Sequence, residues 1–353
     1  MVNHNEESVF IVIGANWKDG AWATPAYVKS QAESLQNAGW TVHFGFVDDR
    51  TSLRGVIRNI SRLRHEVLKA KPALVHAQYG SVTAAVANWI RGSLPLVVSF
   101  CGDDLLGTPS SGIVWRIRER CARRIGIYAG RRASTIIVKG QVLLQALPPD
   151  LQRKAIVLPN GVDTKMFRLM DRDECRARLG WNKKSKIILF DASWNGVSED
   201  QSRKNPGLAR ATIDLLTKST PDIQLHMISG VPHTDVPMMM NAADCLLVTS
   251  RQEGSANIIK EAMACNLPVV SVPCGDAAER LSMTHPGCVR AYDAGALAEA
   301  LHRILLAGCR SNGRVQLIRQ GLTTVNVAAH LINIYKNVQE PVSLAANPII
   351  YQS

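Results

Sequence analysis

Aromatic residues make up only 5% of this 353-residue chain. That is too few to build the stacking platforms that hold single-stranded nucleic acid, so nucleic acid is not an expected partner. No apolar run reaches membrane-spanning length before Arg, Lys, Gly or Pro interrupts it. The N-terminus, MVNHNEESVFIVIGANW, places acidic residues ahead of its apolar stretch and has no basic segment, which argues against a secretory signal. The eight cysteines (Cys101, Cys121, Cys175, Cys245, Cys265, Cys274, Cys288 and Cys309) are scattered singly with no CxxC pair. They fit reduced thiols of a cytoplasmic protein better than a disulfide framework. No zinc or magnesium spacing of ligands occurs. Gly14 and Gly20 do not form a GxGxxG fingerprint, and no nucleophile elbow or Cys–His pair is visible.

Strands and helices alternate along the chain. Apolar strands are expected at 9–16, 41–47, 73–77, 96–100, 135–139 and 155–163, with helices near 25–37, 52–71, 81–91, 110–130 and 141–147 between them. The pattern restarts after about 165. A helix at 171–179 precedes strands at 187–193, 223–229, 245–250, 269–272 and 288–292, with a helix near 206–217. Helices at 294–307 and about 311–337 end the structured chain. Such alternation implies α/β architecture with two mainly parallel, doubly wound sheets. At 46% hydrophobic content the chain can bury two cores. The expected boundaries are 1–165 and 166–324, with 339–353 a tail containing Pro341 and Pro348.

Charge is uneven. The net +12 falls mostly in residues 1–160, where 20 Lys/Arg face 11 Asp/Glu. A cluster from Arg116 to Arg132 supplies much of it. It reads either as a solvated helix face or as attraction to anionic headgroups or a phosphate-bearing acceptor.

The densest chemical signal is DCLLVTSRQEGSANIIKEAMACNLPVVSV, from Asp244 to Val272. A buried strand from Cys245 stops at Glu253-Gly254-Ser255. A helix with Ile258, Ile259, Ala262 and Met263 at core spacings follows, then a second strand from Val269. The turn of such a βαβ unit presents unpartnered helix amides to an anion. Gly254 permits close approach of the backbone, and Ser255 is placed to cap the helix. Glu253 and Glu261 frame the turn. Carboxylates beside a phosphate site are poor phosphate ligands but good hydroxyl acceptors, which points to a sugar nucleotide.

These residues, with PNGVD at 159–163, RKNP at 203–206, NAADCLLVTS at 241–250 and the weaker PALVHAQYG at 72–80 and VVSFCGDDL at 97–105, resemble the retaining family-four glycosyltransferases of the GT-B fold. The resemblance implies two Rossmann-like domains across a cleft, an acceptor-binding first one and a donor-binding second one. The final helix, about 325–338, would cross back to the first. It also implies that Glu253 contacts the donor hexose beside the amides of Gly254, Ser255, Ala256 and Asn257. Glu261 would hold the ribose, and Lys204, with Arg203, would meet the leaving diphosphate without a metal or cofactor. The Arg of that pattern usually follows a glycine at a strand end, where this chain has Asp191-Ala192-Ser193. Asp104 keeps the carboxylate of a His-Gly-x-Asp pattern whose His is replaced by Cys101. It would hold an acceptor hydroxyl, or cap the next helix. Gly14 and Ala15 open a small-residue loop that would admit the acceptor or serve as an ordinary connection. His76 fits a core histidine as well as a ligand, and Lys139 faces the cleft as a further phosphate-site candidate.

The implied activity is transfer of a hexose from a nucleotide-diphosphate sugar to a sugar, lipid-linked or small-molecule hydroxyl, with retention, in surface polysaccharide, glycolipid or other glycoconjugate synthesis. Cytoplasmic placement follows, peripheral on the inner membrane face if the Arg cluster meets lipid. The alternatives are a non-catalytic sugar-nucleotide sensor, a nucleotide-sugar epimerase or a phosphorylase.

Overall fold

The structure is a computed structural model that describes residues 6–340 apart from 15–16, 19–20, 23, 109–111 and 193–201. The first half runs β1 (Ser8–Gly14), β2 (Trp17–Lys18), β3 (Ala21–Trp22), α1 (Ala26–Asn37), β4 (Thr41–Val47), α2 (Leu53–Ala70), β5 (Leu74–Gln78) and α3 (Ser81–Ile90). It continues through β6 (Leu96–Phe100), α4 (Asp103–Leu106), α5 (Ile113–Arg132), β7 (Thr135–Val138), α6 (Gln141–Ala146), α7 (Pro149–Gln152) and β8 (Ala155–Val157). The second half runs α8 (Arg172–Leu179), β9 (Lys186–Asp191), α9 (Pro206–Leu216), β10 (Ile223–Ile228), α10 (Val236–Ala242), β11 (Cys245–Val248) and α11 (Asn257–Ala264). After these come β12 (Val269–Ser271), α12 (Ala277–Leu281), β13 (Cys288–Val289), α13 (Ala294–Ala307), α14 (Gly313–Arg319) and α15 (Thr324–Gln339).

Two parallel sheets result, ordered β4-β1-β5-β6-β7-β8 and β10-β9-β11-β12-β13. The α/β expectation with two doubly wound sheets holds. Central strands are apolar on both faces, as parallel strands covered by helices must be: Val9 to Ile13 and Ile187 to Phe190 are all buried. On one face of the first sheet, α2, α3 and α5 close a core around Phe10, Val75, Phe100 and Ile136. On the other, Val9, Ile11 and Ile137 pack with α1 and with Leu331, Ile334 and Tyr335 of α15.

That last contact makes the chain cross between the halves twice. Outbound, it leaves β8 through Pro159-Asn160-Gly161; returning, it passes Thr323 into α15. The two crossings touch, with Val162 bridged in parallel to Thr323. A Cβ on Gly161 would lie 2.8 Å from the Thr323 carbonyl oxygen, so only glycine fits there.

Two elements differ from the sequence expectation for identifiable reasons. The helix expected over 311–337 is two helices, because Gly321 adopts a left-handed φ of 68° and Thr323 caps a new helix by accepting the Asn326 amide. The strand expected over 155–163 stops at Val157, since Pro159 cannot donate to a sheet. The tail 341–353 lies outside the described residues. No helix of the described residues is long and apolar enough to cross a membrane.

Candidate functional site

The second sheet's carboxyl edge gathers most of the residues singled out above. Thr249, just beyond β11, donates its hydroxyl to the Lys204 and Asn205 carbonyls at 2.8 and 3.0 Å, and the Arg251 amide donates to the Arg203 carbonyl. These bonds lay the 203–205 segment over the strand end, and Asn205 turns it with a left-handed φ of 55° into α9. Lys204 is thereby driven inward. Its ammonium lies 2.6 Å from Asp191 Oδ2 at the end of β9 and 2.8 Å from Glu253 Oε1. Burial works against the charge, but Asp191 and Glu253 outweigh it and hold the Lys204 pKa above the ordinary lysine value. The Asp191 that replaces the usual pattern at this strand end is thus a direct partner of Lys204. Sequence reasoning flagged the departure and missed the partnership.

The turn after Glu253 differs from expectation in two details. Ser255 does not cap α11. Its hydroxyl donates to Asp276 Oδ2 at 2.8 Å and accepts from Lys260 Nζ at 3.1 Å. Ala256 precedes the helix with no side-chain cap, which leaves the first-turn amides at Asn257 and beyond available to an anion. Gly254 is required by the first half of the protein: a Cβ there would lie 2.8 Å from Leu143 and 3.0 Å from the Cys101 carbonyl oxygen. Opposite it, a Cβ on Gly140 would lie 2.4 Å from the Gly254 carbonyl oxygen. Two glycines meet across the seam.

Glu261 points back along the helix to His233, with Oε1 and Nε2 3.0 Å apart. This bond raises the His233 pKa above the usual imidazole value, against partial burial. His233 stands edge-on to Phe167 at 5.3 Å. It lies in a loop after β10 with no telltale spacing, and nothing in the sequence marked it.

Arg203 lies within reach of the charges of Glu253 and Asp191 but makes its ion pair elsewhere. It reaches across the seam to Asp103 Oδ1 at 2.8 Å, and Gln252 donates to the Gly107 carbonyl beside it. Asp103 opens the short helix α4 that holds Asp104, and Gly107 closes it.

On the first-domain side, Asp104 is buried, and its carboxylate accepts the amides of Gly80 at 2.6 Å, Gly102 at 2.8 Å and Cys101 at 3.0 Å. Asp104 therefore organises the loop ends of β5 and β6, and its oxygens are already engaged; it is a positioning residue, not a free hydroxyl acceptor. Burial lifts its pKa to about 6 despite those bonds. The Cys101 thiol is pushed up to about 12 by burial and by Asp104. A thiol held so firmly protonated is a poor nucleophile. Gly14 lies under Arg50, whose Nη1 would be 2.4 Å from a Cβ there; Ala15 lies outside the described residues. His76 is a core histidine, bonded to Tyr335 at 2.6 Å and Ser99 at 2.8 Å, and burial takes its pKa down to about 3. Among the described residues, no three His, Cys, Asp or Glu side chains gather where they could hold a metal.

Known proteins share this fold and parts of this sequence. The family described as Glycosyltransferase Family 4 matches residues 22–166, and Glycosyl transferases group 1 matches 207–306, between them more than half of the chain. A teichuronic acid biosynthesis glycosyltransferase of Bacillus subtilis is 24% identical over 246 residues, covering 66% of this chain and 61% of the relative. A D-inositol 3-phosphate glycosyltransferase of Catenulispora acidiphila is 26% identical over 174 residues, covering 41% of this chain and 42% of its own length. The chain thus spans about three fifths and two fifths of the lengths of these relatives. Among solved structures, sucrose-phosphate synthase from Thermosynechococcus elongatus superposes with a TM-score of 0.72 at 17% identity, over 94% of this chain and 98% of that one. Anabaena Alr3699/HepE in complex with UDP gives 0.69 at 15% identity, over 94% and 100%. Both matched families and the paired sheets agree, and the chain belongs to the family-four glycosyltransferases, of the GT-B fold.

Proposed function

We propose that this protein is a retaining, metal-independent glycosyltransferase that moves a hexose from a nucleotide-diphosphate sugar to an acceptor hydroxyl. The observation that carries the reading is the placement of Lys204 between Asp191 and Glu253, at the mouth of a helix whose first amides have no side-chain cap. A diphosphate entering there meets a buried cation and helix amides together, and these stabilise the charge that accumulates as it leaves. Displacing Glu253 from Lys204 frees its carboxylate to accept a sugar hydroxyl. Glu261, at the far side of α11's first turns, suits a ribose, with His233 fixing its rotamer.

Retention by front-side attack, with the departing phosphate taking the acceptor proton, accords with a site whose Cys101 is held protonated and whose Asp104 is occupied by amides. Cleft closure would exclude water and limit hydrolysis. A sugar-nucleotide sensor would keep the same donor residues. An epimerase is the other rival, because a UDP-GlcNAc 2-epimerase from Methanocaldococcus jannaschii shares the fold at a TM-score of 0.56.

The relatives, a teichuronic acid biosynthesis glycosyltransferase and a D-inositol 3-phosphate glycosyltransferase, favour a polysaccharide or a small phosphorylated alcohol as acceptor class. A membrane-borne acceptor is supported by the outer face of the first domain. There α5 exposes Ile113 and Trp115 on the helix that carries the arginines of the basic cluster, and α2 and α3 expose Leu53, Ile57 and Trp89. Apolar and basic groups on one face suit the inner, anionic leaflet of a membrane.

The test is thermal shift with UDP-, GDP- and ADP-sugars, followed by turnover of the stabilising donor with radiolabelled sugar in EDTA. A true donor at a hundred times its Kd adds about 2.7 kcal/mol of stability. Binding without transfer to any acceptor would leave the sensor. Loss of the rate in EDTA would overturn metal independence.

A further inference from the structure

At the carboxyl edge of the first sheet, β5, β6 and β7 end side by side. Gln78, the last residue of β5, lies opposite Ser99, and Phe100 lies opposite Val138, so Lys139 emerges next to Cys101. Side chains alternate along a strand. His76 bonds Tyr335 of α15 and Ile137 packs in the same cluster, so Gln78 and Lys139, each two residues further, share that face.

Both are withdrawn from water, at 2% and 3% exposed. Neither amide atom of Gln78 has a hydrogen-bond partner. Lys139 makes no hydrogen bond and no ion pair among the described residues. Across the seam Lys260, fully buried in α11, donates to the Asn160 carbonyl at 2.8 Å and to Ser255. Burial lowers the Lys139 pKa, and the Asp104 carboxylate works against that shift. Lys139 in turn acts against the charge of His76 and of Lys260, whose pKa burial brings down to about 8.

An ammonium with no protein acceptor on a residue only 3% exposed, on the same sheet face as an unbonded amide two strands away, is costly unless something else completes them. The donor-side cations are in the opposite condition, with Lys204 and Arg203 both held by carboxylates. The ion pairs that hold those two cations do not include Lys139.

We infer that Lys139, with Gln78 on the same face of the sheet and Lys260 across the seam, forms a second anion site that takes a phosphate or carboxylate carried by the acceptor. The word acceptor rests on the proposed glycosyl transfer; the anion site itself does not. The ammonium donates to the anion's oxygens, the Gln78 amide nitrogen donates beside it, and Lys260 adds attraction from the donor domain. An acceptor held in this way would touch both domains at once.

The test titrates the whole protein with inorganic phosphate, sn-glycerol 3-phosphate, dihexanoyl phosphatidic acid below its micellar concentration, and glycerol. The parent, Lys139→Met and Lys139→Arg are compared by calorimetry, with UDP, GDP and ADP titrated into each. Phosphate-bearing probes should bind the parent and glycerol should not. Methionine should weaken them about tenfold or more, arginine should restore most of the loss, and nucleotide affinity should not change. Preference for the phosphatidic acid over glycerol 3-phosphate assigns a lipid-borne phosphate, and equal affinity a soluble one. Methionine should leave thermal stability at or above the parent's, since it removes an unpaired buried charge. Equal phosphate binding by parent and Lys139→Met, no binding of any phosphate probe, or a destabilised methionine variant would each overturn the site. Lys139-dependent phosphate binding with no nucleotide binding would keep the site and discard the glycosyl-transfer reading.

Discussion

The two carboxyl edges that face each other across the cleft are built from the same strand-and-helix units, yet their polar groups stand in opposite states. On the proposed donor edge the charges named above are paired among the described residues: Lys204 with Asp191 and Glu253, Glu261 with His233, and Asp276, through Oδ2, with Arg280 and Ser255, while Asp276 Oδ1 is left unbonded. On the acceptor edge Gln78, Thr83 and Lys139 have none, and Tyr79 and Ser81 sit at positive φ values of 116° and 58°. Side chains other than glycine adopt such angles only when their surroundings enforce them, and strain of that kind concentrates at functional sites. A self-paired edge keeps its geometry whether or not ligand is present. An edge with open valences depends on what it binds. On the proposed reading, the donor half is preassembled and the acceptor half is completed by what it binds.

The largest effect should come from breaking the donor edge. Lys204→Met strands Asp191 and Glu253 side by side and buried, and should cost about 3–5 kcal/mol in stability along with turnover. Chemical denaturation checks it; a loss below about 1 kcal/mol would mean that the pairing is slack and the contrast between edges overstated.

Next comes Asp104, which ties the acceptor edge together. Its folded pKa of about 6 lies above the ordinary carboxyl value, so the folded state binds the proton more tightly than the unfolded one. Its contribution is fully present below about pH 4 and is lost as pH rises through about 6, at about 1.4 kcal/mol per pH unit at most. Asp104→Asn should remove that slope. Melting curves of both proteins between pH 4 and 7 decide it, and parallel curves would place the titration elsewhere.

Glu261→Ala should weaken nucleotide binding by roughly 1–3 kcal/mol while leaving the acceptor edge untouched. Calorimetry with the preferred nucleotide measures it, with His233→Ala expected to cost less because it only orients the carboxylate. Glu253→Gln, by contrast, should lower turnover more than nucleotide affinity.

The smallest effect concerns the outer face of the first domain. Changing Arg123, Arg124, Arg131 and Arg132 to Ser should weaken co-sedimentation with anionic vesicles, by at most about 1 kcal/mol for each residue near the surface. Arg131 is already paired with Asp150 and Arg132 lies over Tyr128, so these two should matter least. Vesicle binding that is absent, or indifferent to salt, would return the cluster to a solvated face.

The donor edge was legible because its chemistry is local in sequence. Glu253, Gly254, Ser255 and Glu261 lie within one turn and one helix, and helical spacing alone puts them together. Lys204 lies some fifty residues away, and only the bonds of Thr249 to the 204–205 carbonyls bring it there. Those bonds leave no trace in periodicity. The same holds for Asp191, His233 and Asp276, each supplied by a different strand end. On the acceptor edge the residues were visible but their states were not. Asp104 reads as a free carboxylate until the Gly80, Cys101 and Gly102 amides are found on it. Gln78 and Thr83 carry no mark in the sequence, because an unmet hydrogen bond is a property of surroundings. Fold class followed from alternation, whereas α10 and the break between α14 and α15 depend on tertiary packing and a single left-handed glycine.

The return of α15 to the first sheet bears on how such proteins can be recombined. Tyr335 lies against Trp40 and His76, and Val327 to Ile334 cover strands laid down some three hundred residues earlier. The first domain is therefore discontinuous in the gene although continuous in space. A chimaera that exchanges donor specificity should be joined at two points, near residues 162 and 323, so that the recipient keeps its own final helix. A single-junction swap would leave the Val9–Ile11 face beneath a helix shaped for another sheet. Insoluble product from single junctions, alongside soluble product from paired ones, would be the mark of that constraint.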